Sequence, residues 1–79
     1  MKKEIRYEIV VSRKVFAQRL KILREKRGLT VSELGKLVKV SGRTISRWEE
    51  GQTRIKSEYL IRIAEIFSVS VDYLLGLED

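Results

Sequence analysis

Three times along this chain an apolar residue stands directly before a hydroxyl residue, and a second apolar residue follows four places after the hydroxyl. Leu29-Thr30 is answered by Leu34, Val40-Ser41 by Ile45, and Val69-Ser70 by Leu74. A Ser or Thr so placed accepts a hydrogen bond from a backbone N–H of the first helical turn. The flanking apolar pair closes over it as a hydrophobic staple and fixes the angle at which chain enters helix. Three staples imply several closely fixed short helices and not one long rod.

The rest of the pattern agrees and gives an all-α body of five helices. The first runs from about Val15 to Arg27, with Phe16, Leu20 and Leu23 at helical spacing and Gly28 as a left-handed stop. The second follows Thr30, where Thr30-Val31-Ser32-Glu33 has capping-box form, and carries Val31, Leu34, Leu37 and Val38 as its apolar stripe. The third follows Ser41, buries Ile45 and Trp48, and ends at Gly51. The fourth follows Ser57 and packs Leu60, Ile63, Ala64 and Phe67. The fifth is short, Val71 to Leu75, with Ser70 as cap and Gly76 as stop.

Residues 1–14 read differently, as an N-terminal extension to a domain spanning 15–79. Ile5, Tyr7, Ile9 and Val11 alternate with Glu4, Arg6 and Glu8, the period-two pattern of an extended, half-buried β-strand. A lone strand beside helices needs a partner for its backbone groups, such as the same segment of a second subunit. A loosely packed tail and a basic arm carrying Lys2, Lys3 and Arg6 to DNA are the alternatives.

Composition narrows the chemistry. The 79 residues contain no cysteine, histidine or proline, so disulfides, thiolate metal sites and histidine general bases are excluded. Only carboxylates and lysines could run acid–base chemistry. Glu49 and Glu50 are adjacent on a helix and point apart, and no glycine loop cradles a phosphate. An enzyme is not expected, and neither is a cofactor, a metal or a small-molecule ligand. No apolar run approaches the ~20 residues of a membrane span, and a reducing, cytoplasmic setting fits the lack of cysteine. Charge is uneven: residues 1–56 hold sixteen Lys/Arg and six Asp/Glu, a net of +10, while residues 57–79 hold Arg62 against five acids, a net of −4. That asymmetry suggests an oriented electrostatic footprint, although solubility alone explains many lysine-rich surfaces.

The second and third helices are joined by Lys39-Val40-Ser41 alone, a tight corner that makes a helix-turn-helix. The second helix of such a unit fits a major groove about 12 Å wide. On a helical wheel Ile45, Trp48 and Glu49 fall on one side of the third helix, and Arg43, Ser46, Arg47 and Glu50 on the other. Arg43 and Arg47 each carry a planar fork able to bond guanine O6 and N7 together. Thr44 and Ser46 can reach a phosphate or a thymine methyl. The helix start at Ser41, Gly42 and Arg43 offers free N–H groups and a positive dipole end to a phosphate.

Taken in order, Arg19-Leu20, Leu23-Arg24, Leu29-Thr30, Glu33-Leu34, Val40-Ser41, Thr44-Ile45-Ser46-Arg47-Trp48-Glu49, Gly51, Ala64 and Val69 to Leu75 resemble the Cro/repressor-type helix-turn-helix family. This family is also called the xenobiotic-response-element (XRE) type, and its fold is that of lambda repressor. The resemblance implies double-stranded DNA as partner, with residues 42–50 as recognition helix and Arg43, Arg47 and Thr44 as base readers. It implies phosphate contacts from the start of the second helix, at Val31 and Ser32, and from Gln52, Thr53, Arg54 and Lys56. It also implies that Arg24 pairs with Glu49 beneath the recognition helix. A transcriptional repressor follows, acting in the cytoplasm on the nucleoid as a homodimer on an inverted repeat. The same fold serving as an antitoxin or accessory interaction module is the alternative.

Four positions depart from the family pattern. Val31 stands where many relatives place a phosphate-binding glutamine. Gly35 replaces the usual alanine, leaving room for the third helix at a cost of about 0.5–1 kcal/mol to the second. Lys39 replaces the usual turn glycine, which costs about 1–2 kcal/mol where the backbone must be left-handed. Ile55 stands where proline often follows the loop.

Overall fold

Helix starts in this protein are set by side-chain caps. The computed structural model describes residues 2–51 and 53–78, with side chains described from Arg13 onward. Five helices lie among them: α1 (Lys2–Lys26), α2 (Val31–Val38), α3 (Gly42–Glu49), α4 (Ser57–Phe67) and α5 (Val71–Leu75). Thr30 Oγ1 accepts the Glu33 N–H at 3.0 Å while Glu33 Oε1 accepts the Thr30 N–H at 2.8 Å, closing the capping box. Ser41 Oγ accepts the Thr44 N–H at 3.1 Å, and Ser70 Oγ accepts the Tyr73 N–H at 2.9 Å. The apolar halves of all three staples pack on the core, with Leu34, Ile45 and Leu74 fully buried.

Helix α4 starts otherwise. Ser57 is its first residue and not its cap; Lys56 occupies the cap position and makes no side-chain cap bond. The Lys56 carbonyl already accepts the Tyr59 and Leu60 N–H groups, each at 3.1 Å, so helical pairing begins one residue sooner than the serine suggested.

The strand expected in the N-terminal extension is not present: α1 is continuous from Lys2, and the described residues contain no strand. A single strand would leave its N–H and C=O groups unpaired, whereas a helix pairs them within the segment. No proline or glycine precedes Gly28, so a helix already formed over the body extends upstream at the low cost of propagation.

The core joins Phe16 and Leu20 of α1, Leu34 and Val38 of α2, Ile45 and Trp48 of α3, Leu60, Ile63, Ala64 and Phe67 of α4, and Leu74 of α5. Helices α2 and α3 pack together, α1 lies against α5 and α3, and α4 touches both α5 and α2. Two arginines fasten these layers through backbone carbonyls. Arg62 of α4 donates to the Val38 carbonyl at 2.7 Å, capping the end of α2. Arg19 of α1 donates to the carbonyls of Tyr73 and Glu78 and lies 4.2 Å above the Tyr73 ring.

Candidate nucleic-acid interface

The corner between α2 and α3 is closed by backbone. Lys39 adopts the left-handed conformation, φ 71° and ψ 44°, as its place in the turn required. The Lys39 and Val40 N–H groups both reach the Gly35 carbonyl, at 2.7 and 2.9 Å. A Cβ on Gly35 would stand 2.6 Å from the Val40 carbonyl oxygen. Gly35 thus leaves room as expected, and the corner uses that room: it occupies the space an alanine would need. Gly42 serves a second close approach, since a Cβ there would stand 3.1 Å from Ser32 Cα. The first turns of α2 and α3 thus lie side by side and bring Ser32 next to the α3 start.

Helix α3 is held from its inner side. Ile45 is fully buried and Trp48 nearly so, the latter with its ring centroid 5.6 Å from that of Tyr59. Arg24 and Glu49 form a forked pair, Nε to Oε2 at 2.7 Å and Nη2 to Oε1 at 3.1 Å. Their side chains are only 13% and 8% exposed. Arg24 Nη1 also donates to the Leu29 carbonyl at 2.8 Å. The hydrogen bonds to Glu49 hold the Arg24 guanidinium above its ordinary pKa, against the opposing effect of burial. One guanidinium so ties α1, the entry to α2 and the end of α3.

The outer side is free. Arg43 and Arg47 are exposed, and neither makes a hydrogen bond or ion pair to another of the described residues. Ser46 between them is half-buried. Thr44 is also half-buried, its hydroxyl 3.0 Å from Ser41 Oγ, so the cap and the base-reading candidate act as one unit. Of the expected phosphate contacts, Ser32, Ser41, Thr53, Arg54 and Lys56 are exposed and Gly42 is half-buried. Gln52 lies outside the described residues. Lys56 sits at the α4 start, whose first N–H groups carry no side-chain cap. Sequence reasoning missed Arg62, although its standing as the sole cation in the acidic final segment was a signal.

Among the described residues no group of carboxylates is arranged to hold a metal, and no helix is long and apolar enough to cross a membrane.

Comparison with known proteins agrees with this geometry. A family model described as helix-turn-helix matches residues 20–74. The chain is 37% identical over 54 residues to a putative HTH-type transcriptional regulatory protein of Pyrococcus abyssi, covering 68% of this chain and 17% of that protein. It is 38% identical over 64 residues to the HTH-type transcriptional activator BcrR of Enterococcus faecalis, covering 81% of this chain and 31% of BcrR. Among solved structures, the c2 repressor of phage P22 in complex with a synthetic operator superposes with a TM-score of 0.75 at 33% identity, covering 80% of this chain and 96% of that one. Hydroxypropylphosphonic acid epoxidase from S. wedmorenis superposes at 0.74 and 28% identity, covering 81% of this chain but 34% of the enzyme. The chain thus spans less than a third of the length of both sequence relatives. With the match running from the end of α1 to α5, the chain belongs to the helix-turn-helix family, in its Cro/repressor branch.

Proposed function

We propose that this chain binds double-stranded DNA sequence-specifically, with α3 in the major groove, and acts as a transcriptional repressor. The observation that carries the reading is the two-sidedness of α3. Ile45, Trp48 and the Arg24–Glu49 pair fix its inner side, while Arg43 and Arg47 are exposed and have no partner among the described residues. Arg43 and Arg47 read guanine edges, with Thr44 beside them. Ser32, Ser41, Gly42, Ser46, Thr53, Arg54 and Lys56 hold phosphates, together with the free N–H groups at the starts of α2, α3 and α4.

The domain spans 15–79, and the extension 1–14 supplies the contact of a homodimer. Two α3 helices on a two-fold axis reach half-sites about 34–36 Å apart on an inverted repeat. Bound there in the cytoplasm, on the nucleoid, the dimer represses by occupying the promoter. The chain is not itself an enzyme in this reading, and it uses no cofactor or small-molecule ligand. A second reading, an accessory or antitoxin DNA-binding module, is favoured by one observation: the same domain forms about a third of a solved epoxidase.

Selection of bound duplexes from a random pool tests the proposal and returns half-site and spacing. Arg43→Ala and Arg47→Ala each weaken the selected site by about 1–3 kcal/mol and relax preference at one base pair. If both variants bind selected and random duplex as the parent does, the groove assignment fails. Co-purification of a second polypeptide favours the module reading.

A further inference from the structure

Beside the C-terminal end of α3 lies an open cleft that the proposed contacts do not use. Arg13, Lys14, Ala17 and Gln18 of α1 line one wall, and Glu49, Glu50 and Gly51 the other. Its cations are unspent among the described residues: neither Arg13 nor Lys14 hydrogen-bonds or ion-pairs with any of them, and the same holds for Gln18. Of its two carboxylates, Glu49 is neutralised by Arg24 and nearly buried, which leaves Glu50 as the free acid.

The cleft itself therefore holds two cations against one free carboxylate, and Arg54 and Lys56, both exposed, follow shortly after Gly51 in the sequence. Glu50 shares the outer wheel face with Arg43 and Arg47, so the cleft borders the proposed reading surface. Gly51, at φ 74°, carries no side chain to block the approach; even an added Cβ would meet only Ala17 Cβ, at 3.7 Å.

We infer that this cleft is a further DNA-backbone contact, in which Arg13 and Lys14 bind phosphates at the edge of each half-site and Gln18 donates to a phosphate oxygen. The inference rests on the groove reading above and extends DNA contact to α1, to which that reading gives no phosphate; the self-contact of the extension then falls to residues 1–12, ahead of Arg13. The chemistry favours a polyanion: forked and point cations with a neutral amide, flanking a helix that already faces DNA. Glu50 opposes the backbone there and lowers affinity without regard to sequence.

The test uses the full chain, the duplex recovered by pool selection and a random duplex of equal length, titrated over a range of salt. Arg13→Gln/Lys14→Gln lowers the log–log salt slope by about 1.8, two released counterions at 0.9 each. It weakens both duplexes by the same factor, so their affinity ratio stays at the parent's value. Hydroxyl-radical footprinting loses protection at the outer edge of each half-site. Glu50→Gln strengthens both duplexes alike. An unchanged slope and footprint overturns the inference, as does a loss confined to the selected duplex, which would make these residues base readers. A parent that selects no duplex overturns the groove reading itself. A circular-dichroism melt matching the parent's, as expected for one exposed and one half-buried side chain outside the core, shows that the variant folds.

Discussion

Gly35→Ala sets two effects of known sign against each other. Alanine in a helix interior is worth about 0.5–1 kcal/mol over glycine, so propensity alone would make the variant more stable. The added carbon, however, would stand 2.6 Å from the Val40 carbonyl oxygen and 3.1 Å from both the Gly42 nitrogen and the Ser41 carbonyl carbon. All three are backbone atoms of the corner, so no side-chain rotation relieves the contact. Overpacking a filled site costs about 1–3 kcal/mol, which leaves a net loss centred on ~1 kcal/mol and bounded by about 0–2.5 kcal/mol. In a domain of this size each kcal/mol moves the melting midpoint by about 4–8 °C. Urea titration followed by the fluorescence of Trp48, the single tryptophan and only 4% exposed, measures the loss. Far-UV circular dichroism in parallel checks that unfolding stays two-state. A Gly35→Ala protein more stable than the parent would refute the reasoning, because the corner would then yield at no cost and leave only the gain in helix propensity.

Glu49→Ala leaves the Arg24 guanidinium mostly buried with only the Leu29 carbonyl to bond, a loss of about 2–4 kcal/mol by denaturant titration. Arg24→Leu/Glu49→Leu recovers most of it; a single variant costing under about 0.5 kcal/mol would instead place the pair among weak surface bridges. Removing residues 1–12 leaves the unfolding free energy of the monomer within about 0.5 kcal/mol of the parent's, since every described core residue lies at Phe16 or beyond. It also shifts sedimentation from dimer to monomer. A dimer that survives the deletion moves the self-contact to α5 and the loop before α4.

Helix starts are legible in this sequence where their cause is local. Thr30, Ser41 and Ser70 each bond the N–H three residues on, and a cap with its staple sits inside one six-residue window. The α4 start had no such window, because packing of Tyr59, Leu60 and Ile63 fixes its entry and the nearby serine does not. The alternation of Ile5, Tyr7, Ile9 and Val11 is local as well, yet it misled. Period-two runs this short do not bind a chain to a strand when an adjoining helix meets no breaker. In the candidate site, Ile45 and Trp48 placed the inner face of α3 and so oriented Arg43 and Arg47 by elimination. Arg24 and Glu49 are 25 residues apart, and their pairing was reachable only through the family resemblance and the inward place of Glu49. Arg62 onto Val38, 24 residues away, had neither aid.

Gly35 and Lys39 show the same limit in sharper form. Read one at a time, each is a departure with its own cost: a flexible residue inside a helix, and a left-handed backbone at a non-glycine residue in a turn. In space they meet through one carbonyl, since Lys39 sets the path that brings Val40 oxygen against Gly35. The family it resembles usually has alanine and glycine at these positions; here the glycine stands in the helix and not in the turn. Glycine at 39 frees a dihedral angle; glycine at 35 frees space. Lys39→Gly alone then stabilises by about 0.5–1 kcal/mol, the left-handed penalty less the entropy that glycine adds to the unfolded chain. With that freedom the Val40 carbonyl can retreat, so Gly35→Ala/Lys39→Gly loses less than the two single changes summed, by a coupling of about 0.5 kcal/mol or more. Strict additivity in a urea double-mutant cycle would mean that the two residues act separately, and that the exchange of glycine between them is an accident of sequence with no bearing on how the corner holds α3.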